Sequence, residues 1–252
     1  MTQPGLQKHI RCVPGDVGRY VLLPGDPARS RRIAEYFENP RLVAENREYT
    51  VFTGTFHGIP VSVCSTGIGG PSASIAIEEL IKVGADTFIR VGSAGARQEY
   101  LPIGDVVVVT GAYRGEGTSQ AYLPVQFPAI ADLEVTNALL AAAREQGEKG
   151  YHGLSFTRDA YYVQDKELNE KLKTAGVMVS ENECATLFVV ASARRARCGA
   201  IVGTDSNIWL AEQPALEEKD RLFKIAERKE ILIALRAIEL LASAGAASAQ
   251  GR

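Results

Sequence analysis

The sequence predicts an α/β fold: one domain in which a mixed sheet carries helices on both faces. Three observations point there. Short β-branched apolar runs alternate with helix-like segments along most of the 252 residues. No Pro/Gly/Ser-rich linker divides the chain, and no repeat of 20–50 residues recurs in it. A chain of this length buries most of its unfolded surface in one core.

The elements follow in order. Arg19 to Pro24 reads as a buried strand ending in the turn Pro-Gly-Asp-Pro. Pro27 to Phe37 reads as a helix with Asp26 as its N-cap, because Asp accepts from free N–H groups and Pro suits the first turn. Val51–Phe56 and Ile59–Ser65 form a hairpin around His57-Gly58. The glycine-rich turn Thr66–Pro71 leads into a helix from Ser72 to Val83. Thr87–Val91 is the next strand, ending in Gly92-Ser-Ala-Gly95, and Asp105–Thr110 is another. Helices are expected over Val135–Glu148, Lys166–Ala175 and Cys184–Ala193, with a strand at Gly199–Gly203. Leu216–Leu241 carries apolar residues at helical spacing, and Ala242–Arg252 reads as a small, polar, disordered tail.

Charge and composition exclude several function classes. Lys and Arg number 28 against 30 Asp and Glu, so the basic excess of a phosphate-backbone binder is missing and nucleic acid is not the expected partner. Four scattered cysteines without C-x-x-C spacing, and three histidines, argue against a zinc site. They fit a reducing compartment. The first residues lack a signal-peptide apolar core, and no apolar run reaches the ~20 residues of a membrane span. The expectation is a cytoplasmic protein with no membrane partner.

Ligands of such sheets bind at the carboxyl ends of strands. Three ends qualify. In Pro24-Gly-Asp-Pro-Ala-Arg29, a glycine precedes a helix N-terminus and an arginine lies one turn in, which suits an anion; the alternative is a plain tight turn and a solvated Arg29. In Arg90-Val-Gly-Ser-Ala-Gly95, a charge inside a buried strand must be paired, either with a core carboxylate or with a ligand. Thr66-Gly-Ile-Gly-Gly-Pro-Ser72 resembles a nucleotide-binding loop but matches no P-loop or dinucleotide pattern, and a turn for close helix packing is the alternative. Glu181-Asn-Glu183 offers paired acids for sugar hydroxyls or proton transfer, or simply charge at a helix N-terminus.

Together these segments resemble the nucleoside phosphorylase-I family, which includes uridine phosphorylase and the hexameric purine nucleoside phosphorylases. The matching pieces are PGDPAR at 24–29, NREYT at 46–50, CSTGIGGPSASIAIEEL at 64–80, RVGSAG at 90–95, FPAIAD at 127–132 and ENECATLF at 181–188. The resemblance implies a three-layer α/β/α domain with a distorted sheet. It also implies reversible phosphorolysis of a nucleoside to free base and ribose 1-phosphate, with no redox cofactor. Carried over residue by residue, it puts phosphate on Gly25, Arg29, Arg90 and Ser93, with Arg47 from a neighbouring subunit. Glu183 is then expected on the ribose 2′- and 3′-hydroxyls, with Glu181 and Asn182 beside it. His9 of a neighbour is expected at the 5′-hydroxyl, and Tyr161 or Tyr162 against the base or sugar. Glu48, Ile68 and Ser72 match the cation site of some uridine phosphorylases, so a structural potassium ion is an expectation too. Residues shared across subunits imply a dimer as the smallest unit and a hexamer as the usual assembly.

The chain departs from the family pattern in two places. Asn182 stands where relatives carry a Met that packs on the nucleoside. The uracil-reading Gln and Arg after the aromatic pair are replaced in register by Asp165 and Glu167, with Gln164 one residue earlier. Asp205, in Gly203-Thr-Asp-Ser-Asn207, lies where purine enzymes carry the acid that serves the base; the alternative is an Asp capping a turn. By overall similarity the leading expectation is a uridine phosphorylase-like enzyme, with Arg90, Glu183 and Asp205 as its catalytic set, while the base-reading residues argue more for a purine or a broad range. A purine nucleoside phosphorylase using Asp205 comes next. A non-catalytic binding homologue and a hydrolytic nucleosidase follow.

Overall fold

The computed structural model describes residues 4–250, with side chains to residue 245. The first half contains β1 (Tyr20–Leu23), α1 (Pro27–Ala34), β2 (Glu38–Asn46), β3 (Tyr49–Phe56), β4 (Ile59–Cys64), α2 (Gly70–Lys82), β5 (Thr87–Ala96) and β6 (Val106–Gly115). Then come α3 (Thr118–Tyr122), β7 (Ala129–Ile130), α4 (Leu133–Glu145), β8 (His152–Arg158), α5 (Lys166–Thr174), β9 (Val179–Glu181), α6 (Cys184–Arg194), β10 (Arg197–Asn207) and α7 (Leu216–Gln250).

The strands form one mixed sheet, and its distortion has a definite cause. From the edge it runs β2-β3-β4-β1-β5, with β1 parallel to both β4 and β5. The long strand β5 then pairs with two others: β10 in parallel along its whole length and β9 antiparallel at its end. The path β5-β10-β6-β8-β9 returns to β5, so this part of the sheet closes into a ring. The closure folds the ends of β5, β8, β9 and β10 around one hollow.

Side-chain alternation builds two cores, one on each face. Val21, Leu23, Phe88, Val107, Val109, Ala200 and Val202 pack with α2 and α6. Tyr20, Leu22, Ile89, Val106, Val108 and Ile201 pack with α1, α4 and α7. Helices on both faces make the fold three-layered. Among the described residues, no helix is long and apolar enough to cross a membrane.

Several elements differ from the sequence reading. β2 was not expected, because its polar residues alternate with nothing; it is an exposed edge strand that carries Pro40 and pairs only with β3. β8 and β9 were missed as well, since they are short and owe their place to the ring closure. β5 does not stop at Val91; Gly92 to Ala96 stay extended, paired with β10. β10 likewise runs to Asn207, with a bulge between Thr204 and Ser206. Residues 242–250 continue α7 rather than forming a disordered tail, because alanines predominate there and Ala is the strongest helix former. Residues 251 and 252 of that expected tail lie outside the described residues.

Candidate active site

The site grows from the ends of β1 and β4. Asp26 caps α1 by accepting from the N–H groups of Ala28 (2.9 Å) and Arg29 (3.2 Å). The turn after β4 is laced to it: Thr66 N–H donates to the Pro24 carbonyl and Gly67 N–H to the Gly25 carbonyl. Gly25 thus faces a cleft beside a helix N-terminus. Arg29 is buried next to it. Its Nε donates to Glu227 of α7 at 2.8 Å and its Nη1 to the Val91 carbonyl at 3.2 Å. This fixes the guanidinium without covering its other edge.

β5 supplies Arg90 and Ser93. Arg90 is buried, with Nη2 2.5 Å from Glu183 and Nε 3.2 Å from Glu181. Burial would lower its pKa, but the two carboxylates outweigh that and hold the proton more tightly than usual. A Cβ on Gly92 would lie 2.7 Å from Arg90 Cζ, so only glycine lets the guanidinium fold back along its own strand.

The two glutamates have different surroundings. Glu181 Oε2 accepts from the N–H groups of Glu183 and Cys184 (both 2.8 Å), which caps α6; its Oε1 accepts from Thr157 (2.6 Å) and Ser155 (3.3 Å). Protein groups therefore occupy both its oxygens. Glu183 receives the Gly69 N–H at 2.6 Å as well as Arg90. Burial raises its pKa, and Arg90 opposes the rise. The glycine-rich turn, which the sequence left open between a nucleotide-binding loop and a turn for helix packing, here orients a carboxylate. Gly67 and Gly69 adopt left-handed φ values of 69° and 95° to do so.

The resulting cleft has a volume of about 730 Å³. Gly25, Arg29, Arg90, Ser93, Glu183, Asn182, Tyr161, Tyr162 and Ile68 are among its lining residues. A chamber of about 380 Å³ adjoins it, with Ser93, Tyr161, Tyr162 and Asn182 common to both. Asp205, Gln164, Arg97 and Arg158 line this inner chamber. Asn182 closes the junction by donating to the Arg158 carbonyl. Asp205 sits at the β10 bulge rather than in a turn and accepts from Ser206 Oγ at 2.7 Å. Its burial raises its pKa above the usual carboxylate range.

His9, Arg47, Glu48 and Ser72 do not line this cleft within one chain. His9 Nδ1 is 2.7 Å from Glu79, whose other oxygen accepts from the His9 and Ile10 N–H groups. Arg47 stands in the β2–β3 turn with φ 55°. Glu48 and Ser72 flank Gly67: a Cβ there would meet Glu48 Cγ at 2.8 Å and Ser72 Oγ at 3.0 Å, and Ile68 follows. Of the residues in register with the uracil-reading pair, Asp165 caps α5 and Glu167 pairs with Lys171 on the surface. Sequence reasoning missed Arg97, Arg158 and the packing role of Gly92. The available signal was an arginine just beyond a small-residue strand end.

Comparison with known proteins agrees with this geometry. The family described as the phosphorylase superfamily matches residues 19–239. The chain is 42% identical to a uridine phosphorylase of Thermococcus kodakarensis, over 96% of this chain and 88% of that protein. It is 47% identical to a uridine phosphorylase of Treponema pallidum, over 77% and 80%. A guanosine phosphorylase of Halorubrum lacusprofundi is 38% identical, over 93% and 99%. The crystal structure of uridine phosphorylase from Vibrio fischeri superposes with a TM-score of 0.86 at 33% identity, over 94% of this chain and 98% of that one.

Proposed function

The chain belongs to the phosphorylase superfamily, and from that membership we propose that it is a nucleoside phosphorylase of the uridine type. The observation that carries the reading is Arg90 between its two neighbours. Its guanidinium holds Glu183 at 2.5 Å and lines the same cleft as Arg29, Gly25 and Ser93. An oxyanion and a sugar hydroxyl pair would thus meet at one buried cation.

The chemistry follows from this arrangement. Inorganic phosphate would bind the Gly25 N–H, Ser93 and the free edges of Arg29 and Arg90, with Arg47 added from a neighbouring subunit. Glu183 would accept from the ribose 2′- and 3′-hydroxyls and position C1′ over the phosphate; Glu181 would position Glu183 through the α6 cap. The C1′–N bond breaks with its electron pair leaving on the base, and a phosphate oxygen forms the new bond to C1′. Positive charge grows on the sugar between these steps, and the Glu183 carboxylate and the phosphate dianion both stabilise it. Tyr161 and Tyr162, 61% and 91% exposed, are available to cover the bound nucleoside. His9 of a neighbour would reach the 5′-hydroxyl.

We extend the proposal to a dimer as the smallest active unit and a hexamer as the assembly, since Arg47 and His9 lie outside their own chain's cleft. Glu48, Ile68 and Ser72 would hold a potassium ion; their all-oxygen donors around Gly67 fit a hard monovalent cation, which would brace the turn that orients Glu183. Four buried, unpaired cysteines support a cytoplasmic setting.

A second reading rests on Asp205, which lines the inner chamber and whose burial shifts its pKa upward, in the direction that favours an acid serving a purine nitrogen. Asp205→Ala separates the two. Inosine cleavage should collapse under the purine reading, whereas uridine cleavage should persist under the first. The activity itself is tested by uridine loss with and without phosphate.

A further inference from the structure

The inner chamber contains a cation that the mechanism above does not use. Arg97 is only 3% exposed, and it lines the cavity next to Arg158. Its backbone is pinned on both sides: its N–H donates to the Met178 carbonyl at 2.8 Å, and its carbonyl accepts from the Trp209 indole at 2.7 Å. Its Nη1 donates to Asn169 Oδ1 at 3.1 Å, and Asn169 in turn donates to Gln164. Its Nε is buried with no acceptor, and among the described residues no carboxylate lies within ion-pair distance of the guanidinium. Arg158 spends one N–H on the Val163 carbonyl and, among the described residues, has no carboxylate partner either.

A buried guanidinium without a counter-charge is costly. Burial and the facing Arg158 together push the pKa of Arg97 down to about 10, which is a measure of that cost. The other buried cations of the site do not share this condition, since Arg29 has Glu227 and Arg90 has Glu183. The chamber shares Ser93, Tyr161, Tyr162 and Asn182 with the cleft; with phosphate on Arg29 and Arg90 and the sugar on Glu183, the base is the part of a nucleoside left to enter it.

We infer that Arg97 is a specificity-determining residue: its guanidinium, seconded by Arg158, donates to the carbonyl oxygen on the distal edge of the base and restricts the enzyme to oxo-bases. That oxygen is O4 of uracil or O6 of hypoxanthine and guanine. Cytosine and adenine present an amino group there, so donor would face donor and both guanidiniums would stay unpaired. The same contact would stabilise negative charge on the departing base, because the carbonyl oxygen carries part of the electron pair released from C1′. The inference rests on the phosphorolysis reading and deepens it.

The test compares kcat/KM for uridine, cytidine and the riboside of pyrimidin-2-one, which lacks O4, at saturating phosphate. Wild type should favour uridine over each of the others by roughly 100-fold or more. Arg97→Met should collapse that preference towards unity, chiefly by slowing uridine, and leave the phosphate KM within about threefold. Arg97→Lys should restore part of the preference. Equal use of uridine and the pyrimidin-2-one riboside by wild type overturns the inference, as does a folded Arg97→Met enzyme that keeps the preference. If Arg97→Met does not fold, the wild-type comparison together with Arg97→Lys decides. A wild type that releases no base from any nucleoside in the presence of phosphate would instead refute the phosphorylase reading itself.

Discussion

Arg29 and Arg90 are both buried and both paired, yet they answer to different tests. Arg29 owes its position to Glu227, and its loss removes one charge-assisted contact to phosphate. Arg29→Ala should raise the phosphate KM roughly 10- to 150-fold in steady-state assays at saturating nucleoside, the equivalent of about 1.5–3 kcal/mol. Arg90 can be displaced without touching its own chemistry. Gly92→Ala places a methyl 2.7 Å from its Cζ, at the movable end of the side chain. The fold should survive at a cost of about 1–3 kcal/mol, because the buried pairs with Glu181 and Glu183 must readjust, while kcat/KM falls at least tenfold. Unchanged kinetics in Gly92→Ala would mean that the guanidinium position is not critical. Arg29 stood out in the sequence because it follows a strand and a glycine at a helix start, and Arg90 because it is a charge inside a buried strand that runs into glycines. Arg97 did not, since a lone arginine after Ala96 reads as a solvated residue until the β5–β9 pairing encloses it.

At the level of elements, α1 and α6 each end at the site through a carboxylate cap, and α7 braces the other side. Glu227 on α7 receives Arg29 Nε at 2.8 Å and Arg32 Nε at 2.6 Å. Burial alone would raise its pKa, but the hydrogen bonds and charges of Arg32 and Arg29 hold it below the usual carboxylate range. A folded-state pKa below the unfolded value stabilises the fold above that value, about 4.3, and the contribution is lost as pH falls through the folded one. Wild type should therefore lose more thermal stability than Glu227→Gln between pH 6 and about pH 3. Parallel loss in both would remove Glu227 from the account. β10 gives a packing test: a Cβ on Gly203 would lie 2.8 Å from Ala226 Cβ on α7, so Gly203→Ala should cost about 1–3 kcal/mol in denaturant melts. The apolar strands and the Asp26-capped helix were legible because burial on both faces leaves continuous apolar runs. β2 was not, because an exposed edge strand needs no apolar pattern. The extensions of β5 and β10 were hidden by glycines that signal turns locally and here permit close packing against Arg90 and α7.

For the molecule as a whole, each cleft is incomplete if Arg47 and His9 act across a subunit boundary. An Arg47→Ala protein and a Glu183→Gln protein, each nearly inactive alone, should regain activity when unfolded and refolded together, because mixed dimers contain one site with neither lesion. No recovery, despite mixed oligomers in native mass spectrometry, would place Arg47 outside the site. The ring closure explains why the base chamber was the least readable part of the sequence. It gathers the ends of β5, β8, β9 and β10 with the segment before α5, and residues from 93 to 208 converge with no shared local motif. The phosphate end, by contrast, comes from strand-to-helix turns whose residue types reveal their chemistry in the sequence. On the proposed reading, this convergence performs phosphate-dependent cleavage of a nucleoside. The direct measurement is uridine consumption by the purified protein in phosphate buffer and in phosphate-free buffer, with the sugar product identified. Release of uracil with ribose 1-phosphate, only when phosphate is present, is the predicted result; uracil release at the same rate without phosphate, with free ribose as product, would contradict it.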